Sequence, residues 1–150
     1  MNITMITVGK LKEKYLKDAI SEYSKKLGKL CRLEIIEVED EKTPDNASEK
    51  EELKIKEKEG QGILKYIKED MYVFALAIEG KMLSTDEFIK LFKVLREKPT
   101  EDYAFIIGGS LGLSDEVLRR ADYKLSFSKM TFPHQLMRVI LLEQLNKAVI

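Results

Sequence analysis

Two hydrophobic patterns alternate along the chain. Short runs rich in apolar residues are typical of strands, and apolar residues recurring every three or four positions are typical of amphipathic helices. The pattern predicts strands at residues 3–8, 31–38, 72–78, 103–107 and 123–127. It predicts helices at residues 12–27, 47–67, from 84 to before Pro99, 114–121 and from 133 onward. The order is therefore strand and helix in alternation throughout.

Local signals refine several boundaries. Gly28 follows the first predicted helix where glycine commonly ends one. Ser84 and Glu87 form an S-x-x-E capping box that predicts the start of the third helix. Glu79-Gly80-Lys81 is predicted to turn the chain after the third strand. Pro133 suits the first turn of the last helix, because its missing N–H would have no partner there.

This alternation predicts an α/β fold, a mostly parallel sheet with helices on both faces. The third strand is apolar throughout, which favours an interior position in the sheet. No repeat or change of composition divides the chain, so we expect residues 1–150 to form a single domain. The last helix is apolar around nearly its whole circumference, which indicates cover on more than one side. It predicts a symmetric homodimer with this helix in the interface.

Composition limits the classes of partner and location. The 26 basic and 26 acidic residues give zero formal net charge, so any nucleic-acid surface must be local. No apolar run approaches the ~20 residues that cross a bilayer, and the first eight residues read as a strand rather than a signal peptide. We therefore expect a cytoplasmic protein without a membrane partner. One histidine and one cysteine argue against a metal site of the usual kind, and none is predicted.

Two loops near the C-terminus carry the candidate chemistry. Gly108-Gly109-Ser110-Leu111-Gly112 joins a strand to a helix, and a second loop at residues 127–133 precedes the last helix. Such loops bring backbone N–H groups to small polar ligands, so we expect the two to line one pocket. The glycine turn matches neither the G-x-G-x-x-G fingerprint nor a P-loop, and a purely structural tight turn is equally consistent with it.

His134 and Arg138 are the candidate catalytic residues. They lie four positions apart on one face of the last helix, so they could bind a phosphate or carboxylate together, or simply brace the loop. His134 is also a candidate base. Arg138 and Lys129 are candidates for steering phosphate, an interaction that tolerates loose geometry.

The motifs taken together resemble the RlmH family of bacterial ribosomal RNA methyltransferases, in the SPOUT superfamily. The resemblance reaches to about Gln144. It is carried, in chain order, by Val8-Gly9-Lys10-Leu11-Lys12, Lys58-Glu59-Gly60, Glu79-Gly80-Lys81, Ile106-Ile107-Gly108-Gly109-Ser110, Gly112-Leu113, Leu125-Ser126, Ser128-Lys129-Met130-Thr131-Phe132-Pro133-His134, Arg138-Val139 and Glu143-Gln144.

The resemblance implies transfer of a methyl group from S-adenosylmethionine to N3 of a pseudouridine in 23S ribosomal RNA of the assembled ribosome. It also implies a homodimer and a C-terminal trefoil knot, a rare exception to the usual connection rules. The positions that it implies for cofactor binding are Leu76, Gly108, Phe127, Ser128, Lys129, Met130, Thr131 and Phe132.

The sequence departs from the family at its end. The family continues the last helix through Tyr-Arg and closes with a tail containing Tyr-His and a basic residue, whereas this sequence reads Asn146-Lys147-Ala148-Val149-Ile150. The departure keeps a second hypothesis open, a dimeric S-adenosylmethionine- or RNA-binding module with weak catalysis. A third hypothesis is an unrelated nucleotide-binding α/β protein.

Overall fold

The computed structural model describes residues 1–150, apart from the side chain of His134. The strands are β1 (Asn2–Val8), β2 (Arg32–Val38), β3 (Tyr72–Met82), β4 (Asp102–Ile107) and β5 (Tyr123–Ser126). The helices are α1 (Lys14–Leu27), α2 (Glu49–Leu64), α3 (Thr85–Arg96), α4 (Asp115–Arg120) and α5 (His134–Ala148). The predicted alternation of strands and helices is confirmed, with boundaries that differ by a few residues.

The strands form one sheet in the order β2-β1-β4-β3-β5, and every neighbouring pair is parallel. In the middle of the sheet, Met5 of β1 pairs with Ile35 on one side and with Phe105 on the other. β3 lies between β4 and β5, so its predicted interior position is confirmed. The predicted α/β class is confirmed as well. The trefoil knot that the resemblance implies stays a prediction.

Helices cover both faces of the sheet, as predicted. On one face α1, α3 and α5 enclose an aromatic core in which the rings of Phe74 and Phe105 stack with centroids 4.5 Å apart. On the other face α2 and α4 contribute Ile63 and Val117 to a smaller aliphatic core. Both cores hold side chains with essentially no solvent exposure, the condition under which hydrophobic burial stabilises a fold most.

The predicted turn at Glu79-Gly80-Lys81 is wrong. β3 continues to Met82, with an irregular register between Leu76 and Lys81 where it pairs with β5. A Cβ at Gly80 would lie 2.7 Å from the backbone carbonyl carbon of Lys124. The glycine therefore serves the close approach of two strands rather than a reversal of the chain.

Helix starts follow their capping residues. Ser84 and Glu87 form both hydrogen bonds of the predicted capping box at the start of α3. Ser48 and Glu51 form a second box, which starts α2 slightly later than predicted. None of the helices within the described part of the chain is both long and apolar enough to cross a membrane.

The last helix keeps part of its apolar surface uncovered within one chain. Leu141, Leu142 and Leu145 of α5 are buried in the aromatic core. Ala148 is buried there as well, whereas the apolar side chains of Leu136, Met137, Val139 and Ile140 are only partly buried. One subunit thus covers roughly half of the apolar circumference seen in the sequence.

Candidate active site

A cavity of about 870 Å³ opens at the carboxyl ends of β4 and β5, beside the irregular part of β3. Its wall is built by residues 76–79 of β3, by residues 107–113 after β4 and by most of residues 125–133 after β5. The carboxyl edge of a parallel sheet is where α/β proteins bind ligands. The volume lies within the ~300–1,000 Å³ of small-molecule and cofactor sites.

The glycine turn forms one wall of this cavity. A Cβ at Gly108 would lie 2.9 Å from Cδ2 of Leu113 and 3.0 Å from the carbonyl carbon of Gly112, so only glycine fits there without a shift. Gly112 has a φ of +87°, and its N–H donates to the carbonyl of Gly109 at 3.1 Å. The motif is therefore both things that the sequence left open: it is a tight turn, and it lines the cavity.

Two serine hydroxyls shape the loop after β5, which also lines the cavity. Ser126 Oγ donates to the carbonyl oxygen of Ser128 at 3.0 Å, and the N–H of Met130 donates to Ser128 Oγ at 2.9 Å. These bonds hold the loop against the end of β5. The side chain of Met130 remains 73% exposed although it lines the cavity. The loop thus presents apolar side chains at the cavity mouth.

The structure brings most of the predicted cofactor residues together. Seven of the eight line the cavity: Leu76, Gly108, Phe127, Ser128, Met130, Thr131 and Phe132. Lys129 lies in the same loop with its side chain exposed to solvent, away from the cavity wall. The candidate catalytic residue His134 begins α5, and its side chain lies outside the described residues.

Arg138 lies in a different place from the one the sequence suggested. Its guanidinium is buried and donates to Glu37 Oε2 at 2.7 Å and to the carbonyls of Val8 and Gly9 at 3.0 and 2.8 Å. Burial lowers the pKa of Arg138, and the Glu37 carboxylate opposes this effect. The side chain therefore links α5 to the ends of β1 and β2 by hydrogen bonds, and it is not positioned to steer a phosphate. The spacing of charged residues in the sequence could not show that Glu37 and two backbone carbonyls accept the hydrogen bonds of this guanidinium.

Three charged residues that sequence reasoning missed also line the cavity. They are Lys56 of α2, Glu79 of β3 and Asp115 at the start of α4. The signal for Lys56 is its spacing of four residues from Gly60, which places both on one helix face. The charged sequence of α2 hid this signal, because its apolar pattern does not show which face meets the body.

A buried carboxyl supports the glycine turn from behind. Glu59 of α2 is 5% exposed, and the N–H of Glu41 donates to its Oε2 at 3.0 Å. A Cβ at Gly109 would lie 3.4 Å from Glu59 Oε1. Burial raises the pKa of Glu59 to about 7, with the neighbouring Asp40 acting in the same direction and the Glu41 N–H against it. The carboxyl behind the turn is thus roughly half protonated at pH 7, where an ordinary glutamate is ionised.

Comparison with known proteins identifies the family to which this chain belongs. A family model described as "Predicted SPOUT methyltransferase" matches residues 1–150. The chain belongs to the SPOUT methyltransferase family. A solved structure, a probable methyltransferase from Bordetella pertussis Tohama I, shares the fold with a TM-score of 0.52 at 10% identity, covering 99% of this chain and 94% of that one.

Sequence relatives of this SPOUT methyltransferase are much closer. It is 66% identical over 148 residues to the "Ribosomal RNA large subunit methyltransferase H" of Clostridium novyi (strain NT), covering 99% of this chain and 93% of that protein. It is 65% identical over 147 residues to the protein of the same name from Clostridium beijerinckii, covering 98% and 92%. The family resemblance seen in the motifs is therefore confirmed across nearly the whole chain.

The cavity suits what a SPOUT methyltransferase requires. The enzyme must hold a methyl donor in a fixed orientation while leaving its methyl group open to an acceptor. Gly108, Gly109 and Gly112 leave backbone exposed on one wall, and the loop after β5 carries exposed side chains, so the cavity can hold a ligand and still be open to an acceptor. The cavity is the candidate donor site.

Proposed function

We propose that this protein transfers a methyl group from S-adenosylmethionine to large-subunit ribosomal RNA, with the cavity as the cofactor site. The observation that carries the proposal is that the Gly108 turn and the loop at 127–132 line one cavity. The name of the close clostridial relatives supports the choice of RNA substrate. N3 of a pseudouridine in the assembled ribosome is the acceptor that the family resemblance leads us to propose.

The residues present fit such a cofactor. An adenosyl group needs apolar surface for its base and polar groups for its ribose. The wall supplies apolar side chains from β3 and from both loops, including Leu76, Phe127 and Phe132, and it supplies the hydroxyls of Ser128 and Thr131. Gly108 lets the backbone approach the ligand, as glycines do in other nucleotide sites. The volume of about 870 Å³ leaves room for the ligand and for an approaching base.

The chain's main contribution is alignment. When bound, S-adenosylmethionine supplies a methyl group on a positively charged sulfur, already activated for direct displacement. The lining residues would hold the donor in one orientation relative to the acceptor, and such positioning can lower a barrier by roughly 7–11 kcal/mol. An N3–H acceptor must also give up its proton to a base or to water. His134, the first residue of α5 and the only histidine, is our candidate for that base.

We further propose that the working form is a homodimer with α5 in the interface. The partly exposed apolar face at Leu136, Val139 and Ile140 is what a second copy would cover. Light scattering on the purified protein should give the mass of a dimer. Val139→Glu should give a monomer, because association would bury an unpaired charge. Lys147→Gln, at an exposed position of the same helix, should remain dimeric. A monomeric parent protein would refute the dimer.

The decisive test of the function is methyl transfer. Ribosomes prepared from cells that lack the modification are incubated with the protein and S-adenosylmethionine carrying a labelled methyl group. We expect label in the large-subunit RNA of intact ribosomes. In the cell we expect the reaction to occur in the cytoplasm, where ribosomes work. Cofactor binding without any label in the RNA would instead favour the binding module with weak catalysis. Absence of cofactor binding would refute both.

A further inference from the structure

One end of the cavity carries two opposite charges. Lys56 of α2 is half-buried and lines the cavity, and Asp115 lines it from the start of α4. Among the side chains that the structure describes, Lys56 and Asp115 are absent from every ion pair within 4.0 Å. A lysine that lines a cavity and has no carboxylate partner within the protein can bind an anionic ligand through a charge-assisted hydrogen bond.

The packing of α2 on α4 places these two residues at the same end. Gly60 lies four residues after Lys56, on the same face of α2. A Cβ at Gly60 would lie 2.5 Å from Ser114 Oγ, so α2 is pressed against the residue that precedes Asp115. Ser114 accepts from the N–H of Val117 and thereby fixes the start of α4. Both charges are held by rigid elements rather than by a loop.

The remainder of the wall differs in character. The loop after β5 contributes Phe127, Met130, Phe132 and Pro133, and β4 ends there with Ile107. Apart from Glu79 of β3 and the loop hydroxyls, the wall toward β5 is therefore apolar, whereas a positive and a negative group lie toward α2 and α4. A ligand that fits both parts joins a flat apolar body to a zwitterionic end.

We propose that Lys56 binds the α-carboxylate and Asp115 the α-ammonium of the methionyl part of the methyl donor. The inference rests on the proposed function, in which the adenosyl part occupies the apolar walls. Hydrogen bonds between charged partners are shorter and stronger than neutral ones. The two residues thus select an intact amino-acid group over a truncated nucleoside.

Calorimetry with three ligands tests the assignment. S-adenosylhomocysteine carries the whole amino-acid group, its decarboxylated form keeps only the ammonium, and 5′-methylthioadenosine has neither. We expect Lys56→Ala to weaken S-adenosylhomocysteine roughly 10- to 100-fold, the range of a charge-assisted hydrogen bond, and to leave the other two unchanged. Asp115→Ala should weaken both ligands that carry the ammonium group and leave 5′-methylthioadenosine unchanged.

Matched controls separate recognition from general damage. Lys54→Ala on α2 and Glu116→Ala on α4 remove like charges from exposed neighbouring positions and should leave all three affinities unchanged. Lys56→Met keeps the apolar stem, so it is the substitute test if Lys56→Ala does not fold, and it should weaken S-adenosylhomocysteine alone. Equal losses for all three ligands, or none, would overturn the inference.

The unaltered protein distinguishes the two levels of the proposal. Equal affinity for S-adenosylhomocysteine and 5′-methylthioadenosine would overturn the role of Lys56 and Asp115 and leave the adenosyl site standing. Binding of none of the three ligands would overturn the proposed function together with the inference. A preference for S-adenosylhomocysteine that Lys56→Ala reduces would support both.

Discussion

Glu59→Gln probes the buried carboxyl behind the glycine turn. The pKa of Glu59 is raised to about 7 by burial, against an ordinary value of 4.5 that applies in the unfolded chain. The folded protein therefore keeps a proton on Glu59 that the unfolded chain releases. The stabilisation from the protonated group is complete below about pH 4.5 and is lost as pH rises through 7.

The difference between the two pKa values sets the magnitude. It corresponds to roughly 3 kcal/mol of unfolding free energy, of which about 2 to 3 kcal/mol falls between pH 5 and pH 8. Glutamine keeps the shape of the neutral acid. Its amide oxygen can accept from the N–H of Glu41, its NH₂ can donate to Asp40, and it does not ionise. The variant should thus approach the parent in stability at pH 5 and exceed it by about 2 kcal/mol at pH 8.

Urea unfolding followed by circular dichroism, at one protein concentration and at several pH values from 5 to 8, measures this difference. Concentration is fixed because a dimer's stability depends on it. Glu57→Gln, at an exposed position of the same helix, is the control and should follow the parent protein. Parallel pH profiles for the parent and Glu59→Gln would refute the reasoning, since the buried proton would then contribute nothing.

Two further predictions concern the glycine turn and the hydrogen bonds of Arg138. Gly108→Ala should weaken S-adenosylhomocysteine at least tenfold by calorimetry, because its Cβ would meet Leu113 and Gly112 at about 3 Å. The Cβ of Gly112→Ala would meet open space, so this variant carries only the strain of a positive φ, ~1–2 kcal/mol. It should lower the melting temperature and retain binding. Loss of binding in Gly112→Ala but not in Gly108→Ala would contradict the turn geometry. Arg138→Met should lower the unfolding free energy in urea by about 3 kcal/mol, because the ion pair with Glu37 is lost. A loss below about 1 kcal/mol would contradict a structural role for Arg138.

The sequence allowed the fold and the two loops of the site to be predicted, because their signals are local. Five apolar strands in alternation with helices specify a parallel α/β sheet, and Gly108 to Gly112 between a strand and a helix specifies a tight turn at the carboxyl edge. Ser84 and Glu87 lie three positions apart, so their capping box could be read directly. In each case the partners that decide the structure are close in sequence.

The failures involve partners far apart in sequence. Gly80 was expected to turn the chain. A glycine is needed there instead because the backbone of Lys124 on a neighbouring strand lies too close for a side chain. Arg138 meets acceptors more than a hundred residues away. Lys56 reaches the cavity only because Gly60 lets α2 pack closely on α4. Glycine and arginine each permit several structural roles, and only tertiary packing selects one.

A crystal structure of the protein with S-adenosylhomocysteine tests the central claim most directly. The account predicts ligand density in the cavity, with the adenosyl group between Gly108 and the loop at 127–132 and the amino-acid group toward α2 and α4. Density for the ligand elsewhere, or an empty cavity at saturating ligand in a crystal whose packing leaves the mouth open, would contradict it.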